Sequence, residues 1–143
     1  MIIREANIND ASELAHLMGQ LGYPTTVNNF KIRFNQILTN PSYHTLVVEL
    51  DGKVVGMAGV CTGIFFEHDG SYVRIVAFVV DSGYRRKGIG KKLIQAVESW
   101  AKEQGAIAIA LNSGNREERK AAHQFYSSMG YEAKSIGFSK GLV

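Results

Sequence analysis

A mixed β-sheet with helices on both faces is the architecture this sequence predicts, its elements in the order β-α-α-β-β-β-α-β-α-β. Three observations carry that expectation. Apolar residues recur at helical spacing as far as Leu38, at strand spacing from His44 to Val80, and at helical spacing again from Ile89. Asp51-Gly52, between "HTLVVEL" and "KVVGMAGVCTGIFF", is the strongest short hairpin signal in the chain. Finally, "AIAIAL" at 106–111 is too uniformly apolar for a half-exposed strand and predicts one covered on both faces.

Taken in order, "MIIREA" reads as a short first strand. The following helix takes Asn9 or Asp10 as its N-cap and places Leu14, Leu17, Met18 and Leu21 on one side, until Gly22, Tyr23 and Pro24 break it. A second helix fits Val27 to Leu38, with Phe30, Phe34, Ile37 and Leu38 aligned and Asn40-Pro41 closing it. Two strands joined by Asp51-Gly52 follow, then the polar loop "EHDGS" and a further strand, "YVRIVAFVV". The third helix buries Ile89, Leu93, Val97 and Trp100, pairs Glu98 with Lys102 on its wet side, and ends at Gly105. After "AIAIAL", a last helix of roughly Glu117 to Met129 turns Ala121, Ala122, Phe125, Tyr126 and Met129 inward. It stops at Gly130, and a final strand is expected near Tyr131 to Ser139.

With 143 residues, 45% of them hydrophobic, the chain matches one domain around one core, taken as 1–143. Sixteen basic against thirteen acidic residues leave a net charge of +3, too mild to require nucleic acid or a membrane but compatible with an anionic ligand. Cys61 is the only cysteine, so no internal disulfide forms, and its strand-like flanks "AGVCTGI" predict a buried, inert thiol. Met1 to Ala6 lacks the basic start and long apolar run of a signal peptide, and no apolar stretch reaches about 18 residues. A cytoplasmic location is expected. His16, His44, His68 and His123 include no close ligand pair, so no metal is expected.

The segment that asks for an explanation is "YRRKGIGKKL", Tyr84 to Leu93. It places two glycines at the start of an amphipathic helix, where each costs about 1 kcal/mol relative to alanine. A helix start offers unpaired N–H groups and partial positive charge, and side chains obstruct an anion's approach to them. Gly88 and Gly90 remove that obstruction, while Arg85, Arg86, Lys87, Lys91 and Lys92 add charge suited to a multiply phosphorylated ligand. A flexible entry with a solvated basic face explains the same residues more plainly. A Walker loop is excluded because Gly83 to Gly88 runs into Ile89 and Gly90 rather than lysine and a hydroxyl. A dinucleotide fingerprint is excluded because Leu93 stands where its third glycine belongs.

Arg85, Arg86, Lys87, Gly88, Ile89, Gly90 resembles the signature of the GNAT superfamily of acyl-CoA-dependent N-acyltransferases: Arg or Gln, two residues, Gly, one residue, then Gly or Ala. "AAHQFYSSMGYE" is similar to the family's downstream helix, and the order of elements extends the resemblance over essentially the whole chain. "DGKVVGMAGV", "AAHQFY" and "GFSKGL" look most similar to small-amine acetyltransferases, the aminoalkylphosphonate group included.

The resemblance implies a GNAT-like, mostly antiparallel mixed sheet and direct transfer of an acetyl group from acetyl-CoA, as co-substrate, to a small primary amine. It implies that Arg85, Arg86, Lys87, Gly88, Ile89, Gly90 and Lys91 hold the pyrophosphate, and that the backbone of Phe78, Val79 and Val80 holds the pantetheine. Tyr126 is the implied catalytic donor to the departing thiolate, and a core tyrosine is the plainer reading of it. Two departures stand out. Ala77 and its neighbours offer no glutamate where many relatives carry one in the strand before the loop; Glu67, His68 and Asp69 are the alternatives, with a solvated turn the plainer reading of all three. Arg119 replaces a common asparagine, a role that Asn112 or Asn115 could fill. A non-catalytic acyl-CoA sensor is the second reading, prompted by the missing glutamate, and a nucleic-acid binder using "RRKGIGKK" is the weakest. No nucleic acid or membrane partner is expected, and a homodimer is left open.

Overall fold

The computed structural model describes residues 1–113 and 119–143. Its strands are β1 (Ile2–Glu5), β2 (Tyr43–Leu50), β3 (Lys53–Ile64), β4 (Ser71–Val80) and β5 (Ala108–Leu111). The helices are α1 (Ala11–Leu21), α2 (Val27–Leu38), α3 (Ile89–Glu103) and α4 (Lys120–Ser128), with short 3-10 turns at Ile8–Asp10 and Ser82–Tyr84. The strands lie in sequence order in one sheet, and β1–β2, β2–β3 and β3–β4 are antiparallel. The mixed, mostly antiparallel α/β architecture predicted from the sequence is the one formed. Residues 1–110 make one compact unit and residues 111–143 a second.

Cross-strand register assigns each face of the sheet. Val47, Met57 and Val79 lie in one row and join Leu14, Leu17, Phe30 and Phe34 of α1 and α2 in a buried core. Val48, Gly56 and Val80 point to the opposite side, where a Cβ on Gly56 would lie 3.7 Å from Ile89 of α3. On that side α3 buries Ile89, Leu93, Ile94, Val97 and Ala101. Helices therefore cover both faces. Asp51 (φ 52°) and Gly52 (φ 77°) take the left-handed pair of a tight hairpin turn between β2 and β3.

Several expectations need correction. Neither Asn9 nor Asp10 caps α1 with its side chain; a 3-10 turn intervenes, and Asn7 caps that turn, its Oδ1 accepting from Asn9 N–H at 2.9 Å. Asp10 instead reaches back to accept from Asn7 N–H at 2.8 Å, which completes a capping box. Strand β3 ends at Ile64, so Phe65 and Phe66 belong to the turn. Cys61 is half-buried rather than buried.

The strand at "AIAIAL" is not covered on both faces. Among the described residues β5 is the last in the strand order, and Ile107 at its entry is 62% exposed. The start of the last helix falls partly on residues 114–118, outside the described residues; its described part is α4. No strand forms in residues 131–143, where Ile136 and Phe138 are 80% and 93% exposed. Gly137, Gly141, Lys134 and Lys140 dilute the alternation there, and these residue types disfavour a strand that has no apolar face to bury. Among the described residues no helix is long and apolar enough to cross a membrane.

Candidate active site

Strand β4 carries two breaks in its regular pattern, and they frame the site in the first unit. The first is a bulge. Gly59 pairs with Ala77 but Val60 pairs with Ile75, leaving Val76 without a partner on β3. Ala77 and Val79 therefore face α1 and α2, whereas Val73 and Ile75 face α3. A Cβ on Gly59 would lie 3.7 Å from Ala77 and 3.9 Å from Val76, in ordinary contact with both side chains. The continuous apolar run from Ile75 to Val80 hides this bulge from a reader of the sequence.

The second break is the loop from Asp81 to Gly88. Asp81 is buried, its N–H donating to Val55 O at 2.8 Å and its Oδ1 accepting from Gly83 N–H at 2.9 Å. Donation from Gly83 holds the Asp81 carboxyl below the usual carboxylate range; the Gln20 side chain and the charges of Lys53 and His16 help, against the opposing effect of burial. Tyr84 N–H closes the 3-10 turn onto Asp81 O at 2.9 Å. Arg85 turns its Nε back to Val80 O at 3.1 Å. Lys53 and Lys87 place their ammonium groups 5.6 and 5.4 Å from the centre of the Tyr84 ring.

Beyond Arg85 the backbone enters the left-handed region twice, at Arg86 (φ 64°) and at Gly88 (φ 78°, ψ 7°). For an arginine that conformation is uncommon and mildly costly. Gly88 is the N-cap of α3, yet no side chain caps the helix and no acidic residue stands in its first turn. Among the described residues nothing lies within 4 Å of the position a Cβ on Gly88 would take. The first N–H groups of α3 thus face open space among Arg86, Lys87, Lys91 and Lys92, all exposed. Backbone donors at the positive end of a helix dipole, without a side chain in front of them, are chemically suited to an anion.

The structure gathers Arg85, Arg86, Lys87, Gly88, Ile89, Gly90 and Lys91 into one loop and first helical turn, as the motif predicts. Ile89 itself is buried in the core, so only its backbone belongs to the site. Of the proposed pantetheine segment, Val79 turns its side chain into the α1 and α2 core, while Phe78 and Val80, half-buried, share the face that α3 covers. Glu67, His68 and Asp69 sit in the turn before β4, with His68 Nδ1 3.0 Å from Asp69 O and its ring against Phe65. Five strand residues, or about 17 Å, separate the start of β4 from the bulge. None of the three reaches the middle of the strand directly.

The second unit holds Tyr126 and Asn112. Tyr126 is 9% exposed, edge-on to Phe125 with ring centres 5.5 Å apart and to Tyr131 at 6.2 Å. Burial pushes its phenol above the ordinary tyrosine value, partly offset by the charge of Arg119, so its hydroxyl keeps its proton at neutral pH. Asn112 is exposed, with its amide nitrogen 3.7 Å from the position of a Cβ on Gly137. The Ser113 hydroxyl oxygen is buried and has no hydrogen-bond partner among the described residues. Asn115 lies outside the described residues.

His16 and Gln20 of α1, which belong to no sequence motif, meet the loop at Asp81 and Ser82. Only helical periodicity could have placed them together, four residues apart on the side of α1 away from Leu14 and Leu17.

An open sheet whose fourth strand bulges and then delivers an uncapped, glycine-entered helix defines an α/β domain with an exposed, basic helix start. Residues 12–131 match the Acetyltransferase (GNAT) family, and the chain belongs to that family. It is 36% identical to a GNAT family acetyltransferase of Staphylococcus aureus, whose crystal structure superposes with a TM-score of 0.86 over 99% of this chain and 98% of the other. It is 30% identical over 145 aligned residues to the glucosamine 6-phosphate N-acetyltransferase of Arabidopsis thaliana, with 96% of this chain and 94% of that protein covered. The fold is also that of the aminoglycoside N-acetyltransferase AAC(6')-Iy solved with CoA, with a TM-score of 0.84, 20% identity and 99% and 95% coverage. The protein is an acetyl-CoA-dependent N-acetyltransferase, and its acceptor is an amine.

Proposed function

We propose that this chain, acting as a single domain in the cytoplasm, moves an acetyl group from acetyl-CoA to a small primary amine by direct attack. The observation that carries the site assignment is the start of α3, left-handed at Gly88 and without any side-chain cap. Arg85 to Lys91 would receive the pyrophosphate there. Two of the similar proteins are named for amino-sugar substrates, glucosamine 6-phosphate and aminoglycosides, which supports a small amine as acceptor.

In the transfer the amine nitrogen bonds to the thioester carbonyl carbon, the C–S bond breaks, the amine sheds one proton and the thiolate leaves. Tyr126 is the donor to that thiolate. Reference pKa values of about 10 for tyrosine and about 8.5 for a thiol make full proton transfer uphill by about 2 kcal/mol. Burial raises the Tyr126 side further, so its contribution is a hydrogen bond to the sulfur rather than delivery of the proton. The amine's own proton leaves to solvent, because β4 has Ala77 and no carboxylate at its bulge.

Thiol release from acetyl-CoA is the test, measured against amino acids, aminoalkylphosphonates, amino sugars, polyamines and peptides. Turnover with a small amine is expected, and Tyr126→Phe should lower it about 100-fold with CoA affinity unchanged. An undiminished rate in Tyr126→Phe removes that residue from the mechanism. No turnover by the wild type with any amine, alongside intact CoA binding, gives the non-catalytic acyl-CoA sensor instead.

A further inference from the structure

One edge of α1 is polar in a regular way, and each of its polar side chains ends on a backbone or carboxylate that precedes the phosphate loop. Glu13 accepts from Val54 N–H at 2.6 Å. His16, one turn on, brings Nε2 to 3.5 Å from Asp81 Oδ2. Gln20, a further turn on, accepts from Ser82 N–H through Oε1 at 2.7 Å. Because a backbone N–H only donates, this last bond fixes the orientation of the amide and leaves Gln20 Nε2 to donate toward Asp81, with His16 Nε2 3.0 Å away.

The same junction is fastened from the sheet. The β2–β3 ladder slips so that Glu49 pairs with Val54 and Val48 with Gly56, which leaves Val55 without a partner on β2. The Val55 carbonyl accepts from Asp81 N–H, which carries the β3–β4 pairing one residue beyond Gly56 and Val80. The N–H groups of Asp81, Ser82 and Gly83 are thereby all satisfied within the protein, by Val55, Gln20 and Asp81 respectively. With Tyr84 N–H on Asp81 O, the chain approaches Arg86 and Gly88 with its donors from Asp81 to Tyr84 committed and its direction set.

We propose that Gln20, with His16, is a positioning residue for acetyl-CoA: by holding Ser82 and Asp81 it fixes the loop in the shape that presents the first turn of α3 to pyrophosphate. The inference rests on the assignment of Arg85 to Lys91 as the pyrophosphate site. A loop released from α1 relaxes its left-handed residues, Arg86 above all, and must be reordered by the ligand at a cost in affinity. The grip acts on binding and leaves the reacting atoms untouched, so its signature is a change in KM for acetyl-CoA without a change in kcat.

The experiment compares wild type, Gln20→Leu, Gln20→Asn and Thr26→Ala, the last weakening a helix start elsewhere. Calorimetry with CoA should show Gln20→Leu binding at least about fivefold more weakly, and Thr26→Ala binding as wild type. With acetyl-pantetheine, which has no pyrophosphate, KM should not move in any variant, and kcat with saturating acetyl-CoA should stay within about twofold. Gln20→Asn keeps the amide but shortens its reach. It serves if the leucine variant does not fold, and should raise hydrogen exchange at Ser82 N–H together with the KM for acetyl-CoA. Unchanged CoA affinity in folded Gln20 variants overturns the proposal and leaves the pyrophosphate site standing. An equal loss with acetyl-pantetheine overturns it as a general packing effect. Absence of CoA binding by the wild type overturns both readings.

Discussion

Helices α2 and α3 begin in opposite ways. The α2 start is extended at Thr26 (φ −76°, ψ 156°), whose hydroxyl accepts from Asn29 N–H at 3.1 Å while its carbonyl accepts from Phe30 N–H at 3.0 Å. The α3 start is left-handed at Gly88, has no side chain to accept anything, and is followed by Gly90 where any other residue would favour the helix. One end caps a first-turn donor with its own side chain, and the other has no side-chain cap and stands among a cluster of cations. Both helices bury apolar faces, Phe30 and Phe34 in one and Leu93, Ile94 and Val97 in the other, so packing does not account for the difference. An open start sacrifices a stabilising cap, and the return is a place for an anion.

The largest effect should come from closing the open end. Gly90→Asp places a carboxylate in the first turn of α3, where it suits the helix dipole and removes a helix-weakening glycine, but where it repels and obstructs phosphate. CoA affinity measured by calorimetry should fall at least about tenfold, or about 1.4 kcal/mol, while the thermal midpoint holds or rises. Opposite signs for binding and stability are the point of this variant. An unchanged CoA affinity in the folded protein would remove the ligand from this helix start.

Opening the closed end should do less, and do it to stability alone. Thr26→Ala deprives Asn29 N–H of its acceptor and should cost about 1 kcal/mol, roughly a fivefold shift in the folding equilibrium, read by chemical denaturation. KM for acetyl-CoA should stay at the wild-type value. A matching loss of CoA affinity would show that the two helix starts are coupled, and the contrast between them would fail.

The contrast also shows what a sequence makes legible. The open start is written locally: two glycines among five basic residues, with a strand before and a helix after, are enough to propose an anion site. Local writing also reveals the Asp51-Gly52 hairpin and the inward faces of α2 and α3. What escapes is whatever depends on register between distant segments. The Val76 bulge lies within an unbroken apolar run, and the slip at Val55 lies within another. The meeting of Gln20 with Ser82 spans 62 positions and has no motif. The covered strand expected at "AIAIAL" and the final strand at Tyr131 to Ser139 fail for a related reason: apolar content announces a capacity for burial, while only the neighbours decide whether burial happens.

A third kind of helix start sharpens the comparison through a slope with pH rather than a single value. The turn before α1 is closed by a carboxylate, Asp10, which accepts from Asn7 N–H and binds Arg4 through two nitrogens at 2.9 Å each. The hydrogen bonds from Arg4 are the main cause holding the Asp10 carboxyl below its ordinary range; the Asn7 N–H and the guanidinium charge add to this, against burial. A carboxyl with a depressed folded pKa contributes stability that is fully present above the unfolded value, near 3.9, and is lost as pH falls through the folded value. Thr26 cannot titrate. Denaturation midpoints followed from pH 7 down to about pH 3 should therefore fall less steeply at the acid end for Asp10→Asn than for wild type, while Thr26→Ala runs parallel to wild type with a constant offset. From pH 7 to about pH 5 none of the three curves should bend on this account. If Asp10→Asn keeps the full acid slope, Asp81 is the carboxylate that sets it, because Gly83 N–H and Gln20 hold that group below its ordinary range in the same sense. Asp81→Asn should then flatten the curve where Asp10→Asn did not.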